Sequence, residues 1–308
     1  MRPGPAVVSI VLSFRNEAGN IPALVARLER TLARESIDYE IVFVNDASTD
    51  GSLDAILRER ERNPRVKVLT MARRFGVAEC VVAGLAAATG DAVVYMDADL
   101  QDPPEVIPAL LERWRDGADV VHTVRTARRG ESAFKTWVTR IAYRIIRAGS
   151  DFDLPIDAGD FKLLSRTVVE HLLRLRETDP YLRGLVVWLG FTQAFVPYER
   201  EARATGRTHF PLFSRNPWKT FVSGVTSFSF APIYACLALA AAGLIAAVVL
   251  LAAGSAFVAL LTFFWATIVG AVGSVGLYVA RIYKDVRGRP TYIVESAVGF
   301  PDREVMKS

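Results

Sequence analysis

The stretch VVSIVLSFRNEAGNIPALVARLERTLA, residues 7–33, decides the fold class. Val7 to Phe14 is an unbroken apolar run rich in β-branched side chains, which suits a strand buried on both faces. A polar turn, Arg15-Asn16-Glu17, separates it from Ile21 to Ala33, an amphipathic helical stretch. Strand-like Glu40 to Val44 then leads through the turn Asn45 to Gly51 into a helix at Ser52 to Arg62. The strand Val66 to Met71, a helix at Ala78 to Ala88, the turn Thr89-Gly90 and the strand Ala92 to Met96 follow. Strands alternating with helices of this length predict an α/β fold, with a mostly parallel sheet covered on both faces.

In such sheets ligands bind beyond the carboxyl ends of the strands. Glu17 follows the first strand, Asn45, Asp46 and Asp50 the second, Arg73 and Arg74 the third, and Asp97 and Asp99 the fourth. Four successive strands ending in charged groups point to a site for a polar, phosphorylated ligand. The most informative segment is Tyr95-Met96-Asp97-Ala98-Asp99-Leu100-Gln101-Asp102-Pro103-Pro104-Glu105. Asp97, Asp99 and Gln101 alternate at strand spacing and so share a direction if the strand geometry persists. Such oxygen ligands suit Mg²⁺ or Mn²⁺, which bind through one or two carboxylates together with substrate phosphates. The three histidines, His122, His171 and His209, have no metal-ligand spacing and read as structural or solvated.

The chain of 308 residues is 51% apolar with a formal charge of +4, which directs attention to a membrane portion. That charge suits nucleic acid, anionic lipid or phosphorylated substrates alike, but no nucleic-acid-binding module or basic helix is recognisable. Cys80 and Cys236 are far apart and read as free buried thiols. Met1 to Ala6 has no signal-peptide character, so the N-terminal part is expected in the cytoplasm.

From Thr220 to Ala280 no side chain is charged. This length accommodates two crossings of about 20 residues each, expected at 230–251 and 258–280 with a turn at Ala253, Gly254 and Ser255. Arg215 and Lys219 precede the pair and Arg281, Lys284, Arg287 and Arg289 follow it, which places both ends in the cytoplasm. Trp218, Tyr278 and Tyr283 fall where interfacial aromatics are expected, and 212–229 suggests a juxtamembrane segment along the bilayer surface. The small residues Gly270, Gly273, Ser274 and Gly276 suit either packing within the hairpin or packing between subunits. The expected organisation is a cytoplasmic domain over 1–211, the surface segment, a transmembrane hairpin over 230–281 and a cytoplasmic tail over 282–308.

Taken together, Asn16-Glu17, Asn45 to Gly51, Phe75-Gly76, Asp97 to Glu105 and Gly159-Asp160-Phe161-Lys162-Leu163 resemble the polyprenyl-phosphate glycosyltransferases. These are GT-A-fold enzymes of glycosyltransferase family two, and the similarity runs from about Val7 into the apolar hairpin. The resemblance implies inverting transfer of a sugar from a nucleotide-sugar, UDP-linked by likeness to bacterial members, to polyprenyl phosphate at the inner membrane. It implies that Glu17, Asp46 and Asp97 hold the nucleotide and that Asp99 and Gln101, with Asp97, hold the metal. Asp157 is the candidate catalytic carboxylate. Arg200 and Arg203 match the segment that closes over the diphosphate, while Arg125, Lys135 and Arg140 are candidates for the acceptor phosphate. A homo-oligomer, as a tetramer, follows by the same analogy.

Ser13 and Arg15 stand where the family often has Pro and Tyr, Arg74 replaces a common Asn, and His209 a common Lys. A processive polysaccharide synthase would share the nucleotide-binding half but carry a Gln-x-x-Arg-Trp segment and more crossings. A catalytically silent scaffold would have no need of Asp97, Asp99, Gln101 and Asp157.

Overall fold

A computed structural model describes residues 7–35, 37–127, 158–175, 177–201, 231–252 and 257–300. The opening stretch forms β1 (Val7–Phe14) and α1 (Ile21–Arg34). Next come β2 (Asp38–Asn45), α2 (Ser52–Arg62), β3 (Val66–Met71), α3 (Val77–Ala87) and β4 (Ala92–Asp97). A 3-10 turn at Pro104–Val106 opens α4 (Ile107–Arg115), followed by β5 (Val120–Ala127) and β6 (Ala158–Ser165). Then come α5 (Arg166–Arg174), α6 (Leu182–Trp188) and β7 (Gln193–Glu199). Two apolar helices, α7 (Ala231–Ala252) and α8 (Phe257–Val286), precede β8 (Val294–Val298).

These strands form one eight-stranded sheet in the order β7-β5-β6-β4-β1-β2-β3-β8. β1 to β4 run parallel, as the sequence predicts, and β5 pairs parallel with β7. β6 is antiparallel to β4 and β5, and β8 is antiparallel to β3. Alternate residues along each central strand enter different cores. Ile10, Leu12, Ile41, Phe43, Val94 and Met96 pack toward α1, α2 and α4, whereas Val11, Val42, Val44, Val93 and Tyr95 pack toward α3, α5 and α6. Two-sided burial explains why β1 and β2 read as continuous apolar runs. α3 lies so close to the sheet that a Cβ on Gly84 would fall 2.3 Å from Val11 Cγ1.

The C-terminal part differs from expectation in three ways. α8 continues to Val286 rather than stopping near Ala280. Residues 294–298, expected within a tail, return to the sheet as β8. A Cβ on Gly270, Gly273 or Gly276 would meet nothing within 4 Å. Of that small-residue face Ser274 does meet α7, its Oγ 3.1 Å from Cys236 Sγ, but the glycine at the close approach is Gly243, whose Cβ position is taken by the Phe263 ring. Among the described residues one segment, Phe263–Val286, is long and apolar enough to cross a membrane, with a mean hydropathy of 1.7. The most apolar part of this helix is not buried against the rest of the chain, unlike the core helix of a soluble protein. The expected turn at 253–255, the surface segment 212–229 and the end of the tail lie outside the described residues.

Candidate active site

The carboxyl ends of β1, β2 and β4 each carry a non-glycine residue with positive φ: Asn16 at 57°, Ala47 at 50° and Leu100 at 60°. Left-handed backbone at such residues is disfavoured and persists where its surroundings enforce it, often beside functional groups. Here the restraints are visible. Arg15 Nη1 donates to the carbonyls of Asp46 (2.5 Å) and Ala47 (2.7 Å), and Thr49 N donates to Asn16 Oδ1 at 2.8 Å. Arg15 thereby supports the loop after β2 through its backbone.

Glu17 is buried and accepts from Asn20 Nδ2 at 2.5 Å, while its amide donates to Ser52 Oγ at 2.8 Å. Asp46, also buried, accepts the Phe75 amide at 2.6 Å and the Gly76 amide at 3.4 Å, pinning the loop after β3 to the rim. Burial, with Asp46 and Glu79 nearby, pushes the Cys80 thiol up, so it is an inert core thiol.

At the end of β4, Asp97 is half-buried and Asp99 buried, with Asp99 Oδ1 accepting the Gln101 amide at 3.1 Å. Desolvation pushes the Asp97 carboxyl up to about 8, reinforced by Asp99, Asp160 and Asp102 and opposed by Arg200. Asp97 and Asp99 therefore sense one another, as a shared site requires.

Asp102 is buried and works as a hub. Tyr198 Oη donates to its Oδ1 at 2.5 Å, and Arg200 Nε lies 3.2 Å from the same oxygen. Arg125 Nε reaches Tyr198 Oη at 3.3 Å, with its guanidinium against Gly159. Burial and Asp102 push Tyr198 up to about 12, keeping its hydroxyl a donor. The Glu201 amide donates to the Gln101 carbonyl at 2.9 Å. Arg27 on α1 grips Glu105 and Glu201 at 2.6 and 2.8 Å, so the exit of β7 is fastened to the acidic loop.

Asp160 on β6 pairs with Arg183 on α6, whose Nε is 2.7 Å from Oδ1. Burial alone would raise the Asp160 carboxyl, but Arg183, Lys162 and Arg125 hold it well below the usual carboxylate range. Burial pushes Lys162 down to about 7, moderated by Asp160. His122 is pushed by burial down to about 3 and stacks on Phe195, in keeping with its structural reading.

The described site thus brings together Asp97, Asp99, Gln101, Arg125 and Arg200, with Glu17 and Asp46 further along the same rim. Asp157, Lys135, Arg140, Arg203 and His209 lie outside the described residues. Asp102 and Asp160 fall within the sequence motifs and Tyr198 within the basic segment of Arg200, yet none of the three is given a role by the sequence, and Arg183 lies outside every motif. The pairing of Arg183 depends on how α6 crosses β6, for which no local pattern exists.

Among the described residues no group of three or more His, Cys, Asp or Glu forms a ready-made metal cage. Two carboxylates of β4 and its loop, one pushed up to about 8 by burial and its acidic neighbours, nevertheless fit a hard divalent cation that takes its remaining ligands from substrate phosphates and water. A cavity of about 480 Å³ lies elsewhere, between Arg73, Phe75 and Glu79 on one side and Thr178, Asp179 and residues 289–293 on the other.

The family model for "Glycosyl transferase family 2" matches residues 9–173, more than half the chain and all of the acidic rim from β1 to β4. The chain belongs to this family. A glycosyltransferase of Bacillus subtilis, YkcC, is 36% identical over 97% of this chain and 96% of its own length. The bactoprenol glucosyl transferase of Shigella phage SfII is 32% identical over 94% and 98% of the two chains. A solved structure, the mannosyltransferase PcManGT from Pyrobaculum calidifontis in complex with GDP-Man and Mn²⁺, is 20% identical over 92% of this chain and 88% of that one, with a TM-score of 0.48. In this glycosyltransferase the sheet is of the GT-A-like, mostly parallel α/β kind that the sequence led us to expect.

Proposed function

We propose that the protein transfers a sugar, with inversion, from a nucleotide-sugar, most simply UDP-linked, to polyprenyl phosphate at the cytoplasmic face of the inner membrane. The observation that carries this reading is the convergence of Asp97, Asp99, Asp102 and Asp160 with Arg200 at one rim. Its support from similarity is the near-full-length likeness to a bactoprenol glucosyl transferase.

In this scheme Glu17, Asp46 and Asp97 face the nucleoside and ribose, and Arg200 with Arg203 takes the diphosphate through the guanidinium fork. Asp97, Asp99 and Gln101 would hold Mg²⁺ or Mn²⁺. When bound, that ion offsets the negative charge developing on the departing nucleoside diphosphate. The acceptor phosphate, with a second pKa of about 6, is mostly doubly ionised at neutral pH and attacks without losing a proton. Its oxygen forms a bond to the anomeric carbon as the bond to the diphosphate breaks, so an α-linked donor yields a β-linked product. Arg125, Lys135 and Arg140 receive the acceptor phosphate, and Asp157 orients it or stabilises positive charge on the sugar.

α7 and α8 form a transmembrane hairpin with both chain ends cytoplasmic, and the subunits assemble as a homo-oligomer. Confining enzyme and lipid to one surface raises their effective concentration. The test is to incubate the purified protein with Mg²⁺ or Mn²⁺, undecaprenyl phosphate and labelled nucleotide-sugars, then follow label into the lipid phase. Transfer from one donor is expected, and Asp157→Asn should suppress turnover while leaving nucleotide binding nearly intact. Hydrolysis of the donor with no labelled lipid would reject the acceptor assignment.

A further inference from the structure

A lipid-borne acceptor requires the rim to stand at a fixed height over the bilayer, and the inference below rests on that reading. The last turns of α8 are two-sided. Arg281, Lys284 and Asp285 share one helical face, and all three engage the loop before α6. Arg281 Nη2 is 3.0 Å from Glu177 Oε2, Lys284 Nζ is 2.6 Å from Asp179 Oδ2, and the Thr178 amide donates to Asp285 Oδ1 at 3.0 Å. On the other face Ile282, Tyr283 and Val286 are 60%, 61% and 79% exposed. An open apolar face with a tyrosine, level with a polar grip, is the pattern of a helix at headgroup depth.

The charges have a purpose at that depth. Glu177 and Asp179 would be repelled by an anionic leaflet, and Arg281 and Lys284 neutralise them. Two of the four basic residues that follow the apolar pair in the sequence are therefore engaged within the protein. Beyond α8 the chain turns at Gly288, φ 59°, and the Ile293 carbonyl accepts the Ala72 amide at 3.0 Å. β8 then starts opposite Met71, the last residue of β3. The membrane helix is thus tied at its end to the rim side of the sheet, and the gripped loop leads directly into α6, whose Arg183 holds Asp160.

We propose that Glu177, Asp179 and the Thr178 backbone, with Arg281, Lys284 and Asp285, form a clamp that sets the height and tilt of the catalytic rim above the bilayer. They are positioning residues for the lipid-borne acceptor and leave the nucleotide-sugar site unaffected.

The test uses the full chain in lipid vesicles and the double variant Glu177→Gln/Asp179→Asn. Transfer to undecaprenyl phosphate in the vesicles should fall by about tenfold to a hundredfold, the larger figure being the loss that a misplacement of about 1 Å can cause. Transfer to a short, water-soluble prenyl phosphate, and the KM for the nucleotide-sugar, should stay unchanged. Lys284→Glu alone should repeat the defect, and adding Asp179→Lys should restore activity. Equal losses on both acceptors would mean that the clamp serves the fold, and no loss on either would mean that it positions nothing; both overturn the proposal. Wild-type protein that glycosylates neither acceptor would overturn the function on which it rests, a result distinct from a split between acceptors in the variants.

Discussion

Asp97 is the residue where local energetics and proposed chemistry meet. Its desolvated carboxyl, crowded by Asp99, Asp160 and Asp102, holds a proton up to about pH 8. Because the folded-state pKa is raised above the ordinary 3.8, the contribution of this group to stability is present below that value and lost as pH rises toward about 8. We expect the thermal midpoint of metal-free protein to decline over this window and Asp97→Asn to flatten the decline. Added Mn²⁺ should raise the midpoint most at the alkaline end, because the cation competes with the proton. Identical profiles for wild type and Asp97→Asn would contradict this account. At this scale part was legible: the spacing of Asp97 and Asp99 at a strand end implies a shared direction, and the structure has the two carboxylates close enough to influence one another. What stayed hidden was the support. Asp102 looks like one more acidic residue of a loop until Tyr198 and Arg200, nearly a hundred positions away, are seen on its carboxylate.

Among elements, those with strong local signals were read correctly and those defined by partners were not. β1, α1 and β2 lie within two residues of their expected bounds because two-sided burial writes an apolar run directly into the sequence. β8, by contrast, is the five-residue segment Val294–Val298, and only the exposed edge of β3 makes it a strand. Of the small residues from Gly270 to Gly276 only Ser274 meets α7, at Cys236, while the closest approach is at Gly243, since small size permits contact without choosing the partner. The contact of α3 with the sheet gives a sharper test. An added methyl at Gly84 would stand 2.3 Å from Val11 Cγ1 and 3.0 Å from Val44 Cγ2, both on buried strands. Overpacking of this kind costs about 1–3 kcal/mol, more than the roughly 1 kcal/mol that alanine gains over glycine inside a helix. Gly84→Ala should therefore lower the denaturant midpoint, and a raised midpoint would show that α3 can shift away from the sheet.

On the scale of the whole molecule, a sheet whose carboxyl rim collects acidic and basic groups is joined to an apolar helix ending on the same side. The sequence signals both halves separately, one through alternation and the other through loss of charge. It does not signal their joint, because the clamp and β8 pair residues more than a hundred and two hundred positions apart respectively. The central claim is that the rim grips a divalent cation which in turn grips a nucleoside diphosphate. Calorimetric titration of UDP into wild type and Asp99→Ala, each with and without Mn²⁺, tests this most directly. The account predicts that Mn²⁺ tightens binding to wild type by about tenfold or more, and that Asp99→Ala loses this gain while its metal-free affinity is unchanged. A full Mn²⁺ effect in Asp99→Ala, or none in wild type, would contradict it.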